Sequence, residues 1–148
     1  MQISDILTSD RILCNADVSS KKAALETLSG LIANASSSLT PQQVFNSLLS
    51  RERLGGTGLG NGIALPHGRW RNGLSTIAAF IKLKQGVDYD AADNQPVDLI
   101  FALLVPEHST EEHLQVLAEL AEMFNEVEFL TQLRREESDE AIYNLLAG

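Results

Sequence analysis

Residues 97–105, VDLIFALLV, are apolar at every position except Asp98. A strand with one wet face alternates polar and apolar residues; this run does not, so it reads as a strand buried on both faces. Residues 75–83, STIAAFIKL, read as a second strand, and Asp93-Asn94 as a turn between the two. Helical patterns stand on either side in the sequence. Residues 19–34 place Ala24, Leu28, Leu31 and Ile32 on one helical face. Thr40-Pro41-Gln42-Gln43 is a helix start, with Val44, Phe45, Leu48 and Leu49 as its buried stripe and Arg51 and Arg53 at its end. Pro106 ends the apolar strand. Ser109-Thr110-Glu111-Glu112 forms a capping box for a helix whose inner face is Leu114, Leu117, Leu120, Ala121 and Phe124. Two short helices, about 126–135 and 139–146, follow. Buried strands interleaved with helices predict an α/β fold with helices covering a sheet.

At 148 residues, 44% apolar and 21% charged, the chain is expected to form one domain over residues 1–148, with no internal repeat. No apolar run approaches the roughly 20 residues needed to span a bilayer, so no membrane insertion is expected. The opening MQISDILTSDR is too polar for a secretory signal. Cys14 is the single cysteine, which excludes an intramolecular disulfide and makes the cytoplasm the expected compartment. In the core, Cys14 is expected to be a small buried apolar residue. A formal charge of −9 argues against nucleic acid as a partner.

The chemistry concentrates in GGTGLGNGIALPHGR, residues 55–69, where five of the ten glycines fall within eight residues. Dense glycine lets backbone amides close on an anion. The nucleotide fingerprints fail, however. G-x-G-x-x-G started at Gly56 or Gly58 ends on Asn61 or Ile63, and Asn61 follows Gly60 where the P-loop needs a lysine. The segment IALPH is too short for more than a small strand. His108 and His113 are five residues apart, H-E-x-x-H is absent, and one cysteine builds no structural zinc site, so no metal is expected. G-x-S-x-G is absent as well. Histidine itself remains as nucleophile: a neutral imidazole at near-neutral pH can accept a phosphoryl group. Such transfer needs positioning and donors aimed at the phosphoryl oxygens, which glycine-loop amides, an arginine and a second histidine at a helix start would supply.

Arg51-Glu52-Arg53 followed by Thr57-Gly58-Leu59-Gly60-Asn61-Gly62-Ile63-Ala64-Leu65-Pro66-His67-Gly68 closely resembles the active-site segment of enzyme IIA proteins. These belong to the fructose/mannitol class of the bacterial phosphoenolpyruvate-dependent phosphotransferase system. Residues 20–26 (SKKAALE), residues 93–106 (DNQPVDLIFALLVP) and His113-Leu114 resemble the nitrogen-regulatory branch of that class. The resemblance implies a mixed β-sheet flanked by helices on both faces. It implies that His67 accepts a phosphoryl group from a histidine phosphocarrier protein, with no cofactor. It implies that His113 bonds the phosphoryl oxygens and that Arg51 lies beside them, with Thr57, Gly58 and Asn61 as further phosphoryl-binding positions. Relatives often carry Ser or Thr where this chain has Gly56, which removes one hydroxyl donor. In the nitrogen-regulatory branch the phosphorylation state controls partners such as sensor kinases or potassium transporters. A chain ending at Gly148 with no permease domain suits that branch. The alternatives are a sugar-specific enzyme IIA that passes the group to a permease domain, and a binding or sensor module that no longer carries phosphate.

Overall fold

The computed structural model describes residues 2–108 and 110–148, without the side chains of Thr110, Glu112 and His113. In chain order the elements are α1 (Ile3–Ile6), β1 (Ile12–Ala16), α2 (Lys21–Ala33), α3 (Pro41–Leu54), β2 (Gly58–Gly60), β3 (Ile63–Ala64), β4 (His67–Trp70), β5 (Ile77–Val87), β6 (Val97–Pro106), α4 (Thr110–Phe124), α5 (Val127–Arg135) and α6 (Asp139–Ala147). Local signals start the helices where the sequence places them. The Ser20 hydroxyl accepts from Ala23 N–H at 3.0 Å ahead of α2. Thr40 and Gln43 form a reciprocal capping box around Pro41, with bonds of 2.9 and 3.2 Å. The expected box at Ser109 lies outside the described residues.

The sheet is mixed and six-stranded, in the order β1-β5-β6-β3-β2, with β4 also paired to β6. Antiparallel β5 and β6 form its centre, with Phe80 opposite Phe101 and Ile81 opposite Ile100. Their alternate residues feed two cores. Ala79, Ile81, Ile100, Ala102 and Leu104 meet Leu25, Leu28 and Ile32 of α2 and Val44 and Leu48 of α3. Ala78, Phe80, Leu99, Phe101 and Leu103 meet Leu120 and Phe124 of α4, Leu133 of α5 and Ile142 of α6. Two buried faces leave few strand positions for a polar residue, which is why the central strands read as largely apolar runs, with Asp98 and Lys82 satisfied by Arg134 and by the carbonyls of Arg134 and Glu136. The α/β fold with helices on both faces is therefore as the sequence predicts.

Two local expectations need correction, and one strand was missed. Leu114 is 62% exposed rather than inward-facing. The stripe that α4 buries is Val116, Leu120 and Phe124, and Leu114 lies two residues before Val116, about 200° around the helix. Cys14 is half-buried rather than enclosed. Its strand, β1, lies at the sheet's edge, parallel to β5, and turns aside at Asn15, whose φ is +64°. Strand β1 itself was not legible, because its five residues carry two polar or exposed positions between buried Ile12 and Ala16. Among the described residues, no helix is long and apolar enough to cross a membrane.

Candidate functional site

The glycine-rich segment folds as a hairpin. Asn61 (φ +58°) and Gly62 (φ +81°) form a two-residue connection between β2 and β3, the backbone pattern of a type I′ turn and the preferred role of an Asn-Gly pair. A Cβ on Gly62 would stand 2.4 Å from Arg134 Nη2 and 2.9 Å from Asp98 Oδ1. Those groups pin the turn. The Arg134 guanidinium donates to both Asp98 oxygens, with Nε–Oδ2 at 2.9 Å and Nη2–Oδ1 at 2.8 Å, and to the Asn61 carbonyl at 2.7 Å.

From the hairpin the chain runs along one edge of β6. Ile63 and Ala64 pair with Leu99 and Ile100, and His67 pairs with Leu103, so β3 and β4 are two halves of one parallel line. The break falls at Pro66, which has no N–H for a ladder. Its carbonyl still accepts from Leu103 N–H at 3.0 Å, keeping the register. His67 therefore opens β4 at a sheet edge, immediately after a rigid residue.

Helix α3 closes that edge. The Ser47 hydroxyl accepts from Arg69 N–H at 2.8 Å and donates to Arg69 C=O at 2.7 Å, satisfying the outer backbone groups of Arg69 in β4 with one side chain. This approach requires Gly68, where a Cβ would lie 2.4 Å from Ser47 Oγ and 3.0 Å from the Ser47 backbone carbon. Arg51 follows Ser47 by one helical turn on the same face. The result is a cleft of about 800 Å³ lined by Ser47, Arg51, Leu54 and His67 on one side and by Leu114 and Leu117 of α4 on the other. Arg69 also lines it. Arg51 donates through Nη1 to Gly55 C=O at 2.8 Å, which ties it to the end of its own helix.

His67 is half-buried, and its Nδ1 donates to Leu65 C=O at 3.0 Å. A carbonyl only accepts, so the neutral ring carries its proton on Nδ1 and its lone pair on Nε2. Burial lowers the pKa of the imidazole; the Leu65 bond opposes that, Arg51 and Arg69 push it down and Glu52 pushes it up. On balance the shift favours the neutral ring, in which Nε2 is the basic nitrogen.

The structure brings His67 and Arg51 into one cleft. His113 lies in the first turn of α4, one residue before Leu114, and its side chain is outside the described residues. Thr57, Gly58 and Asn61 are not among the residues lining the cleft. The Thr57 hydroxyl is buried and donates to Glu52 Oε1. Gly58 lets β2 pass Ala91, whose Cβ would stand 3.1 Å from an added Cβ. Asn61 borders a second cleft with Asp93, Asp98 and Arg134. Sequence reasoning missed Ser47, Arg69 and the N-G hairpin. The hairpin had a signal, Asn-Gly between short apolar segments; Ser47 had none, because only the approach of α3 to β4 makes it different from other exposed serines.

Comparison with known proteins bears on the whole chain. The family described as phosphoenolpyruvate-dependent sugar phosphotransferase system, EIIA 2, matches residues 5–148. A nitrogen regulatory protein of Pseudomonas aeruginosa is 42% identical over 146 residues, covering 99% of this chain and 95% of the relative. A fructose-specific EIIABC component of Bacillus subtilis is 30% identical over 146 residues, covering 99% of this chain and 23% of that protein. The crystal structure of nitrogen regulatory protein IIA-Ntr from Neisseria meningitidis superposes with a TM-score of 0.92 at 42% identity, covering 97% of this chain and 98% of that one.

Proposed function

We propose that this chain, which belongs to the phosphoenolpyruvate-dependent sugar phosphotransferase system EIIA 2 family, is a cytoplasmic phosphoryl relay of the nitrogen-regulatory branch. His67 takes a phosphoryl group from a phosphohistidine on a histidine phosphocarrier protein. The phosphorylation state then controls partners such as sensor kinases or potassium transporters. The observation that carries this reading is the bond from His67 Nδ1–H to Leu65 C=O on the wall of a cleft shared with Arg51.

The step is a direct exchange of N–P bonds. His67 Nε2 attacks phosphorus, the bond to the donor imidazole breaks, and that imidazole leaves with its own ring proton as the neutral base. His67 keeps its proton on Nδ1, where the Leu65 carbonyl stabilises the positive charge that develops on the ring. Arg51 and the His113 imidazole serve the three equatorial oxygens, where charge collects in phosphoryl transfer. Thr57, Gly58 and Asn61 act at one remove, by shaping the hairpin that delivers Pro66 and His67. The identity of 42% to a nitrogen regulatory protein against 30% to a fructose-specific component favours the regulatory branch over sugar uptake.

The test is intact-mass spectrometry after incubation with phosphoenolpyruvate, enzyme I and the carrier. One phosphoryl adduct is expected on the wild type and none on His67→Ala, with the variant still folded. Full labelling of His67→Ala would overturn the assignment. Onward transfer to a sugar permease domain would establish the sugar-specific alternative. A chain that takes no adduct from a charged carrier would be left as a binding module.

A further inference from the structure

Glu52 follows Arg51 on α3 but turns inward, and its side chain is 3% exposed. One carboxylate oxygen, Oε1, accepts from the Thr57 hydroxyl and, at 3.1 Å, from the Tyr89 hydroxyl. The other, Oε2, lies 2.9 Å from the Lys21 ammonium. Lys21 also stands 4.4 Å over the Tyr89 ring and donates to the Tyr89 carbonyl at 3.4 Å. Four segments meet at this carboxylate: the start of α2, the end of α3, the root of the hairpin and the loop after β5.

A buried ion pair rarely gives more stability than apolar side chains of the same volume. The placement of this one points to the phosphoryl site instead. Thr57, which donates to Glu52, accepts through its carbonyl from Leu65 N–H at 3.0 Å. Leu65, through its own carbonyl, holds His67 Nδ1. Glu52 therefore reaches His67 through Thr57 and Leu65, and reaches Arg51 through the adjoining helical peptide.

Resting on the reading of His67 as acceptor, we propose that Glu52 is a positioning residue for phosphoryl transfer. It locks Arg51 and His67 in register, and its negative charge keeps the cleft from retaining the phosphoryl group too strongly to pass it on. A relay has to release what it binds. Arg51 and Arg69 line the cleft with positive charge, and a phosphoryl group adds a charge of about −1.5 to −2. At the imidazole, the charge of Glu52 acts in the opposite sense to those of both arginines.

Two substitutions separate charge from geometry. Glu52→Gln preserves size and an acceptor for Thr57 and Tyr89 while removing the charge. Tyr89→Phe removes one bond and leaves the charge. Each variant is equilibrated with the phosphorylated carrier, and back-transfer to unphosphorylated carrier is timed. Glu52→Gln is expected to shift the equilibrium toward the phosphorylated chain roughly fivefold and to slow back-transfer by a similar factor. Tyr89→Phe is expected to leave the equilibrium within about twofold. If Glu52→Gln leaves the equilibrium unchanged, or Tyr89→Phe shifts it equally, the proposal fails. Should Glu52→Gln not fold, Lys21→Met leaves the Glu52 charge without its cation and is expected to shift the equilibrium the opposite way, toward the unphosphorylated chain; no shift there overturns the proposal. A wild type that never becomes phosphorylated would remove the relay itself, and the role of Glu52 with it. A phosphorylated wild type beside an indifferent Glu52→Gln would remove only the latter.

Discussion

In the proposed relay the attacking histidine needs a neutral ring and a defined tautomer, and the surroundings of His67 favour both. Partial burial disfavours the imidazolium, and the Leu65 carbonyl fixes the proton on Nδ1. Neither property was legible in P-H-G, which marks the residue as unusual without saying which nitrogen faces the cleft. Arg51 was legible as a helix-end arginine, but its position beside His67 depends on how far α3 approaches β4. The lowered pKa has consequences for pH. His67 should stay neutral, and accept phosphoryl at an unreduced rate, below the ordinary histidine value of 6.5. An NMR titration of the His67 ring should give a midpoint under 6.5; a midpoint at or above it would show that burial does not control the ring. Between that midpoint and about 6.5 the unfolded chain binds more protons than the folded one. The stabilising contribution of the neutral ring is therefore full above about 6.5 and is lost as pH falls through the folded midpoint.

At the scale of elements, the hairpin β2–β3, strand β4 and helix α3 set the site, and glycines mark where they touch. Sequence alone shows glycine density, and density suggests an anion cradle. The structure shows separate backbone tasks: a positive-φ turn at Gly62, a strand crossing at Gly58 and a helix contact at Gly68. The distinction predicts opposite outcomes for equal substitutions. Gly62→Ala would strain a φ of +81° and press on Arg134 and Asp98, and should destabilise the fold by about 1–3 kcal/mol. Gly30→Ala lies inside α2 with nothing within 4 Å of the added Cβ, and should stabilise it by about 0.5–1 kcal/mol. Urea midpoints of the two variants check both signs at once. A Gly62→Ala protein as stable as wild type would mean that the Arg134–Asp98 clamp yields without cost.

For the whole molecule, the central pair β5–β6 divides one apolar sequence between two cores, and the cleft sits where the sheet edge passes between α3 and α4. Phe101 anchors the core under α4, with ring centroids 6.3 Å from Phe80 and 5.6 Å from Phe124. Phe101→Ala should cost about 3–5 kcal/mol, a large share of a typical domain's stability, measurable as a lowered denaturation midpoint. A loss under about 1 kcal/mol would mean the core collapses to fill the space. What the sequence by itself determined is periodic or local. The run at 97–105, apolar at every position but Asp98, required helices on both faces, because an apolar strand cannot face water. The caps at Ser20 and Thr40 started their helices, because a cap needs only residues within the next turn. The motif ending in His67 identified the family, because a short contiguous segment carries it. The tertiary structure alone decided the rest: that Ser47 closes the edge of β4, that Glu52 is buried against Lys21, Thr57 and Tyr89, and that Asn61 faces Arg134 rather than His67. Those contacts join residues from 5 to 73 positions apart in the chain. No local pattern encodes them, because their partners meet only after two cores have packed against one sheet.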